Sequence, residues 1–109
     1  MICEVCKERI EHAAKNERDA ALSQHGKFHS QHEAWAVLKE EVEEMCQEVN
    51  RCAFQSMMYA LWVDVKHDRE TDQAKLDEIY ENAFKCACEC TQVMAMCLKW
   101  GEGFEHSEE

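Results

Sequence analysis

The chain has 109 residues, no proline and three glycines, and its 12 basic against 23 acidic side chains leave a formal charge of −11. That length suits one domain with a modest core. So acidic a surface argues against a nucleic-acid backbone as the main partner, because phosphates are held through Lys and Arg.

A proline-free, glycine-poor chain rich in Ala, Glu, Lys, Met and Gln favours helix over sheet. The longest apolar run, Met57 to Val63, is seven residues, against the roughly 18 that a membrane span needs. Charges interrupt the N-terminal MICEVCKERIEHAAK where a signal peptide requires a continuous apolar stretch. The expectation is a cytoplasmic protein without a membrane partner.

The first helix is predicted over 2–22. Cys3, Cys6, Ile10, Ala13, Ala20 and Ala21 fall at helical spacings along one face, and Ser23 to Gly26 supply loop and capping chemistry. Ser30-Gln31-His32-Glu33 then reads as a capping box, with Glu33 reaching back to the start. From it Trp35, Leu38, Val42, Met45, Val49 and Cys52 step by three and four, close to a heptad seam. With no glycine or proline before His67, one long or kinked helix is predicted over 30–66, and the polar cluster His67 to Asp72 is the turn. A third helix is predicted over 72–100 on Leu76, Ile79, Ala83, Cys86, Cys90, Val93, Cys97 and Trp100. Gly101 stops it, and 101–109 reads as a frayed acidic tail.

The predicted fold is therefore a single all-α domain over 1–109, a long antiparallel helical hairpin plus an N-terminal helix. About 36 helical residues span on the order of 54 Å, more than one partner and one shorter helix bury. Tyr59, Leu61, Trp62 and Val63, beside Met57 and Met58, would stay exposed on a monomer. A homodimer or higher oligomeric bundle is expected.

The eight cysteines lack the secretory context of a disulfide scaffold. Cys3 and Cys6 form a C-x-x-C pair, and Cys86, Cys88 and Cys90 a C-x-C-x-C run. No second C-x-x-C or H-x-x-x-H follows at zinc-finger spacing, so zinc is not expected. Cys3, Cys6, Cys86, Cys90 and Cys97 instead read as small buried thiols on the apolar seams.

Glu40, Glu41, Glu43, Glu44 and Glu48 form the most informative stretch. Glu41, Glu44 and Glu48 stand at i, i+3 and i+7 on one helix face, and Glu89 and Gln92 stand at i, i+3 on the third helix. A charge run is usually a solvated face, but packed like charges repel, and a bridging cation relieves that cost. A turn centred near 69 and 70 sets residue i opposite roughly 139 − i, which brings Glu48 to residue 91 and Glu89 to residue 50. A modest register shift then closes an oxygen-rich cluster across the hairpin.

At these residues the chain resembles the MazG-like all-α nucleotide pyrophosphohydrolases, in their short phage and prophage branch. The E-E-x-x-E of Glu40, Glu41 and Glu44, the element from Glu89 to Gln92, and the stretches FHSQHEAWAVLKEEVEEMCQEV and ECTQVMAMCLKW carry the likeness, over roughly residues 28–100. The resemblance implies a bacterial or phage-infected cell, a nucleotide substrate or ligand, and Mg²⁺ or Mn²⁺ as cofactor. It implies hydrolysis of a nucleoside triphosphate to the monophosphate and pyrophosphate by a water that the metal activates. By position Glu41, Glu44, Glu89 and Gln92 would be metal ligands, and Glu40 or Glu48 would orient water or a second ion. Gln92 departs from the Asp usual there, bringing an amide oxygen without charge. The gap between the two motifs is also long, with 44 residues between Glu44 and Glu89. A catalytically degenerate, nucleotide- or metal-binding relative therefore stands beside the enzyme.

Trp35 and His32 are candidates for contact with a base, although a Trp on a seam is more often core. Lys39, Lys85 and Lys99 are candidates for phosphate contact, although helix lysines mostly solubilise. A reading from another class makes the −11 surface a phosphate-like mimic of DNA that binds and inhibits a basic host protein.

Overall fold

The computed structural model describes residues 1–105. They fold as α1 (Glu4–His25), α2 (Gln31–Cys52), α3 (Phe54–Lys66) and α4 (Gln73–Gly101). Helix α4 is the spine, and α1, α2 and α3 each pack on it. The molecule is elongated, 72 × 28 × 21 Å. None of the described helices is long and apolar enough to cross a membrane.

Local chemistry accounts for the ends of these elements. Helix α1 runs three residues beyond the predicted Leu22, because Gly26 takes a left-handed φ of 71° and its N–H closes on the Leu22 carbonyl at 2.8 Å. The carboxylate of Glu105 stands where a side chain on Gly26 would begin. At α2, Ser30 Oγ accepts the Glu33 N–H at 3.2 Å, which is half of the expected capping box. The other half is not made, since the Glu33 carboxylate binds His29 Nδ1 at 3.1 Å instead. Asp72 caps α4 by accepting the Ala74 N–H at 3.0 Å.

The segment predicted as one long or kinked helix over 30–66 is two helices. Ala53 breaks it with φ 50° and ψ 49°, the left-handed conformation that ends α2 and opens α3. Along α2 the register drifts, although Cys52 beside the break still meets Cys86 within one residue of the 139 − i rule. Near the turn, Asp64 faces Lys75, their ion pair closed at 2.7 Å, as the 139 − i rule requires. Beyond Ala53, Glu89 meets Glu44 rather than residue 50, a shift of six residues.

At the C-terminus, Gly101 is the last residue of α4 rather than its stop. Gly103, with φ 88°, takes the positive-φ position after it. The predicted fraying does not hold for 103–105. Phe104 bridges to Phe28, and the Glu105 N–H donates to the Phe28 carbonyl at 2.9 Å. The rest of the predicted tail, 106–109, lies outside the described residues.

One core cluster joins Phe28, Ala34, Ala95 and Met96, flanked by Val37, Leu38, Trp100 and Phe104. Phe28 is the one large side chain fully buried among the described residues, and its burial is worth about 2 kcal/mol. A second cluster joins Cys52, Met57 and Cys86. Ala34 and Ala95 are fully buried, and these small side chains let α2 approach α4 closely.

That approach rotates α2 from the predicted seam. The stripe turned inward is Ala34, Leu38, Glu41, Met45, Glu48 and Cys52, each buried or half-buried, again spaced by three and four. Trp35, Val42 and Val49 give way to Ala34, Glu41 and Glu48 on the most inward positions. Trp35 is 58% exposed, which corrects its assignment to the core. Two glutamates thus occupy positions that a packed helix ordinarily gives to apolar residues.

Candidate metal centre

Glu41 comes from the third turn of α2, on its inward stripe, Glu44 from the fourth turn, on the exposed side, and Glu89 from the middle of α4. One carboxylate oxygen of each lies within 4.8 Å of the other two. Glu41 and Glu89 are half-buried and Glu44 is exposed, so the group opens to solvent on one side. No ion pair joins any of the three to a basic side chain among the described residues. Lys39 goes to Glu43 at 2.6 Å and Arg51 to Glu48 at 3.5 Å.

The repulsion is visible in Glu41. Loss of solvent raises its carboxyl above the ordinary value, and the negative charges of Glu44, Glu89 and Glu40 add to the rise. The donor set is hard and oxygen-only. An octahedral Mg²⁺ at about 2.1 Å from each ligand needs oxygens roughly 3 to 4 Å apart, within the spread found here. The residues present therefore fit a Mg²⁺ or Mn²⁺ ion, and a cation there offsets the repulsion that raises Glu41.

Gln92 stands one turn beyond Glu89 on α4. Its Nε2 donates to Glu17 Oε2 on α1 at 3.0 Å, so its amide ties α1 to α4. Glu48 lies on the inward stripe one turn past Glu44, where one carboxylate oxygen accepts from Arg51 and the other lies 3.9 Å from the Cys52 thiol. Glu40 is exposed, next to Glu41 in the chain.

A cleft of about 680 Å³ opens beside Glu41 and runs between α1, α2 and α4. Gln92 lines its middle, and Lys99, Phe28, His25 and His29 line it as well. Lys99 is only 5% exposed, and its Nζ sits 4.2 Å from the centroid of the Phe28 ring. His29 is bound on both ring nitrogens, to Glu33 at 3.1 Å and Glu105 at 3.4 Å. Trp35 lies elsewhere, in a shallow apolar groove with Leu38 and Val42, and His32 is exposed.

The cysteines divide differently from the expectation. Only Cys52 and Cys86 are buried, with sulfurs 3.7 Å apart, while Cys3, Cys6, Cys90 and Cys97 are exposed. The first turns of α1 are exposed throughout, and α4 turns Cys86, Ala95, Met96 and Lys99 inward rather than Cys90 and Cys97.

The sequence reading passed over Glu17 and Phe28, and it discounted Lys99. Nothing in its spacing marks Glu17, which becomes significant only once α1 lies on α4. Lys99 did carry a signal: it follows Glu89, Gln92 and Met96 at spacings of three, four and three, on one stripe of α4. Comparison of the chain with protein-family models, curated proteins and solved structures gives no significant match.

Proposed function

We propose that this chain is a MazG-like nucleoside triphosphate pyrophosphohydrolase dependent on Mg²⁺ or Mn²⁺, or a catalytically degenerate relative that keeps nucleotide and metal binding. One observation carries the reading: Glu41, Glu44 and Glu89 converge from two helices, Glu41 and Glu89 half-buried at packed positions where apolar residues are the norm and Glu44 on the exposed side. Placing carboxylates there costs stability through desolvation and repulsion, and a cation returns it.

Glu41, Glu44 and Glu89 hold the ion. When bound, the ion neutralises triphosphate charge and lowers the pKa of water for attack at phosphorus. The protein's own part is positioning. Helix α4 carries Glu89 and part of the cleft wall on one element, and the packing of α2 on it brings Glu44 to Glu89. Glu48, half-buried on the same stripe, orients water or a second ion, and Glu40 adds negative charge beside Glu41. Gln92 supports the cleft through Glu17 in place of a fourth charged ligand.

The finer assembly belongs to the same reading, as a long antiparallel hairpin paired with a second copy. Met58, Tyr59, Trp62 and Val65 on α3, and Trp35 and Val49 on α2, are each 46% or more exposed, an apolar surface that favours a homodimer.

Pyrophosphate release across the eight common nucleoside and deoxynucleoside triphosphates, with Mg²⁺ or Mn²⁺, is the deciding assay. Turnover of any of them establishes the enzyme. Silence with a thermal shift from metal plus nucleotide establishes the degenerate form. Silence with no shift overturns both and leaves capture of a basic host protein as the reading to pursue.

A further inference from the structure

The end of the cleft away from the carboxylates poses a separate question. Lys99 is 5% exposed and lines the cleft, yet no carboxylate pairs with it among the described residues. Most of the side chain is withdrawn from water and the ammonium has no carboxylate partner, an arrangement that costs stability, and the face of Phe28 at 4.2 Å compensates only part of that cost. Of the acidic side chains that line the cleft, Glu17 is engaged by Gln92, Glu33 by His29, and Glu41 belongs to the carboxylate group. Among the described residues nothing supplies the missing negative charge.

We infer that Lys99 is the seat for a phosphate group of the ligand whose metal-binding end lies at Glu41, Glu44 and Glu89. The inference rests on the metal-centre reading and adds to it a specific residue and a direction. Glu89 and Lys99 are ten residues apart on one stripe of α4, about 15 Å along the axis. A ligand that spans the cleft from the carboxylates to Lys99 is therefore extended, with anionic charge at more than one point. A polyphosphate chain has that form. Lys99 acts here as a point charge with three donors, and the Phe28 ring holds its stem against the wall.

The test uses the full chain and inorganic tripolyphosphate, which carries phosphates without base or sugar. Binding is measured calorimetrically with and without Mg²⁺ for the parent, Lys99→Met and Lys99→Arg, and Mg²⁺ alone is titrated into each. Lys99→Met keeps the stem and removes the charge. It is expected to weaken tripolyphosphate binding roughly tenfold to a hundredfold, with the Mg²⁺ response and helical signal of the parent retained. Lys99→Arg is expected to recover most of the loss. If Lys99→Met binds tripolyphosphate as the parent does, or the parent binds Mg²⁺ but no tripolyphosphate, the inference is overturned and the metal centre stands. If the parent binds tripolyphosphate through Lys99 but shows no Mg²⁺ response, the anion seat stands and the metal centre falls.

Discussion

Gln92 of α4 donates its side-chain amide to Glu17 of α1 at 3.0 Å, across the cleft that Glu41 lines from the other side. This bond fixes what an acidic residue at the same position would do. Gln92→Asp replaces a donor with a carboxylate that faces Glu17 and lies near Glu41. Without metal the variant is expected to lose about 1 kcal/mol in denaturant unfolding, from one lost hydrogen bond and one added repulsion. With Mg²⁺ the sign should reverse, because the added carboxylate raises the affinity for a cation and metal binding stabilises by mass action. A variant that is less stable by the same amount with and without Mg²⁺ would show that position 92 serves only the α1 contact.

Glu41 links pH to the same site. Burial, then Glu44, Glu89 and Glu40, hold its carboxyl above the ordinary value of 4.5, so the folded chain keeps that proton longer than the unfolded chain. Unfolding free energy must then fall as pH rises from 4.5 through the raised value, with the contribution present below that window and lost above it. Glu41→Gln, with Glu44→Gln, removes the slope. At neutral pH without metal, the double variant is expected to melt higher by up to about 1 kcal/mol of stability, and to lose any thermal shift with Mg²⁺. Melts from pH 4 to 8, with chelator or Mg²⁺, read both effects. A double variant that binds Mg²⁺ as the parent does removes the metal centre. A mimic of DNA would instead lose partner binding in proportion to charge, with steep salt dependence and no metal requirement.

How much of this was legible in the sequence depends on which signal each residue carries. Helix type and the positions of two of the three breaks follow from periodicity and capping at Ser30 and Asp72, which are local. The third break was not legible, because Ala53 is a good helix former and nothing around it announces a left-handed residue. The choice of inward face was also hidden. Trp35, Val42 and Val49 make the more hydrophobic stripe, but Ala34 and Ala95 permit the closer approach, and packing decided the rotation. Glu41, Glu44 and Glu89 stood out by helical spacing alone, although their convergence needed a six-residue shift that arises along α2, beyond the Cys52–Cys86 contact. Glu17 and Phe28 have no local signature and are defined only by tertiary contact.

Ala53 itself gives a clean stability test. An L-residue with a side chain pays roughly 1 kcal/mol to hold φ 50° and ψ 49°, and glycine does not. Ala53→Gly is expected to stabilise the chain by about 0.5 to 1 kcal/mol after the larger chain entropy of glycine in the unfolded state is counted. Ala53→Val, branched at Cβ, should destabilise by more than that. Urea denaturation of the three proteins orders them. If glycine is no better than alanine, or valine is tolerated, the left-handed break is not at residue 53.

The buried thiols give the last prediction. Cys52 and Cys86 meet across α2 and α4 at 3.7 Å. Burial first, then the hydrogen bond with Cys52 and the nearby charges of Cys52, Glu48 and Cys90, push the Cys86 thiol up from 9.0 to about 11. Cys3 behaves oppositely. Hydrogen bonds from the backbone and side chain of Cys6 at the start of α1 lower it from 9.0, and it is exposed. The thiolate is the reacting species, so iodoacetamide at neutral pH should label Cys3 first and leave Cys86 intact in the folded protein, as peptide mass mapping would read. The linkage has a definite sign. Cys86 holds its proton longer folded than unfolded, so its contribution is present below pH 9 and is lost as pH rises from 9 towards 11. Thermal melts across that interval should fall for the parent and fall less steeply for Cys86→Ala, which lacks the titrating group. Equal labelling of Cys86 and the exposed Cys88 at pH 7 would mean that α2 and α4 do not enclose this pair, and the packing that carries Glu44 to Glu89 would fail with it.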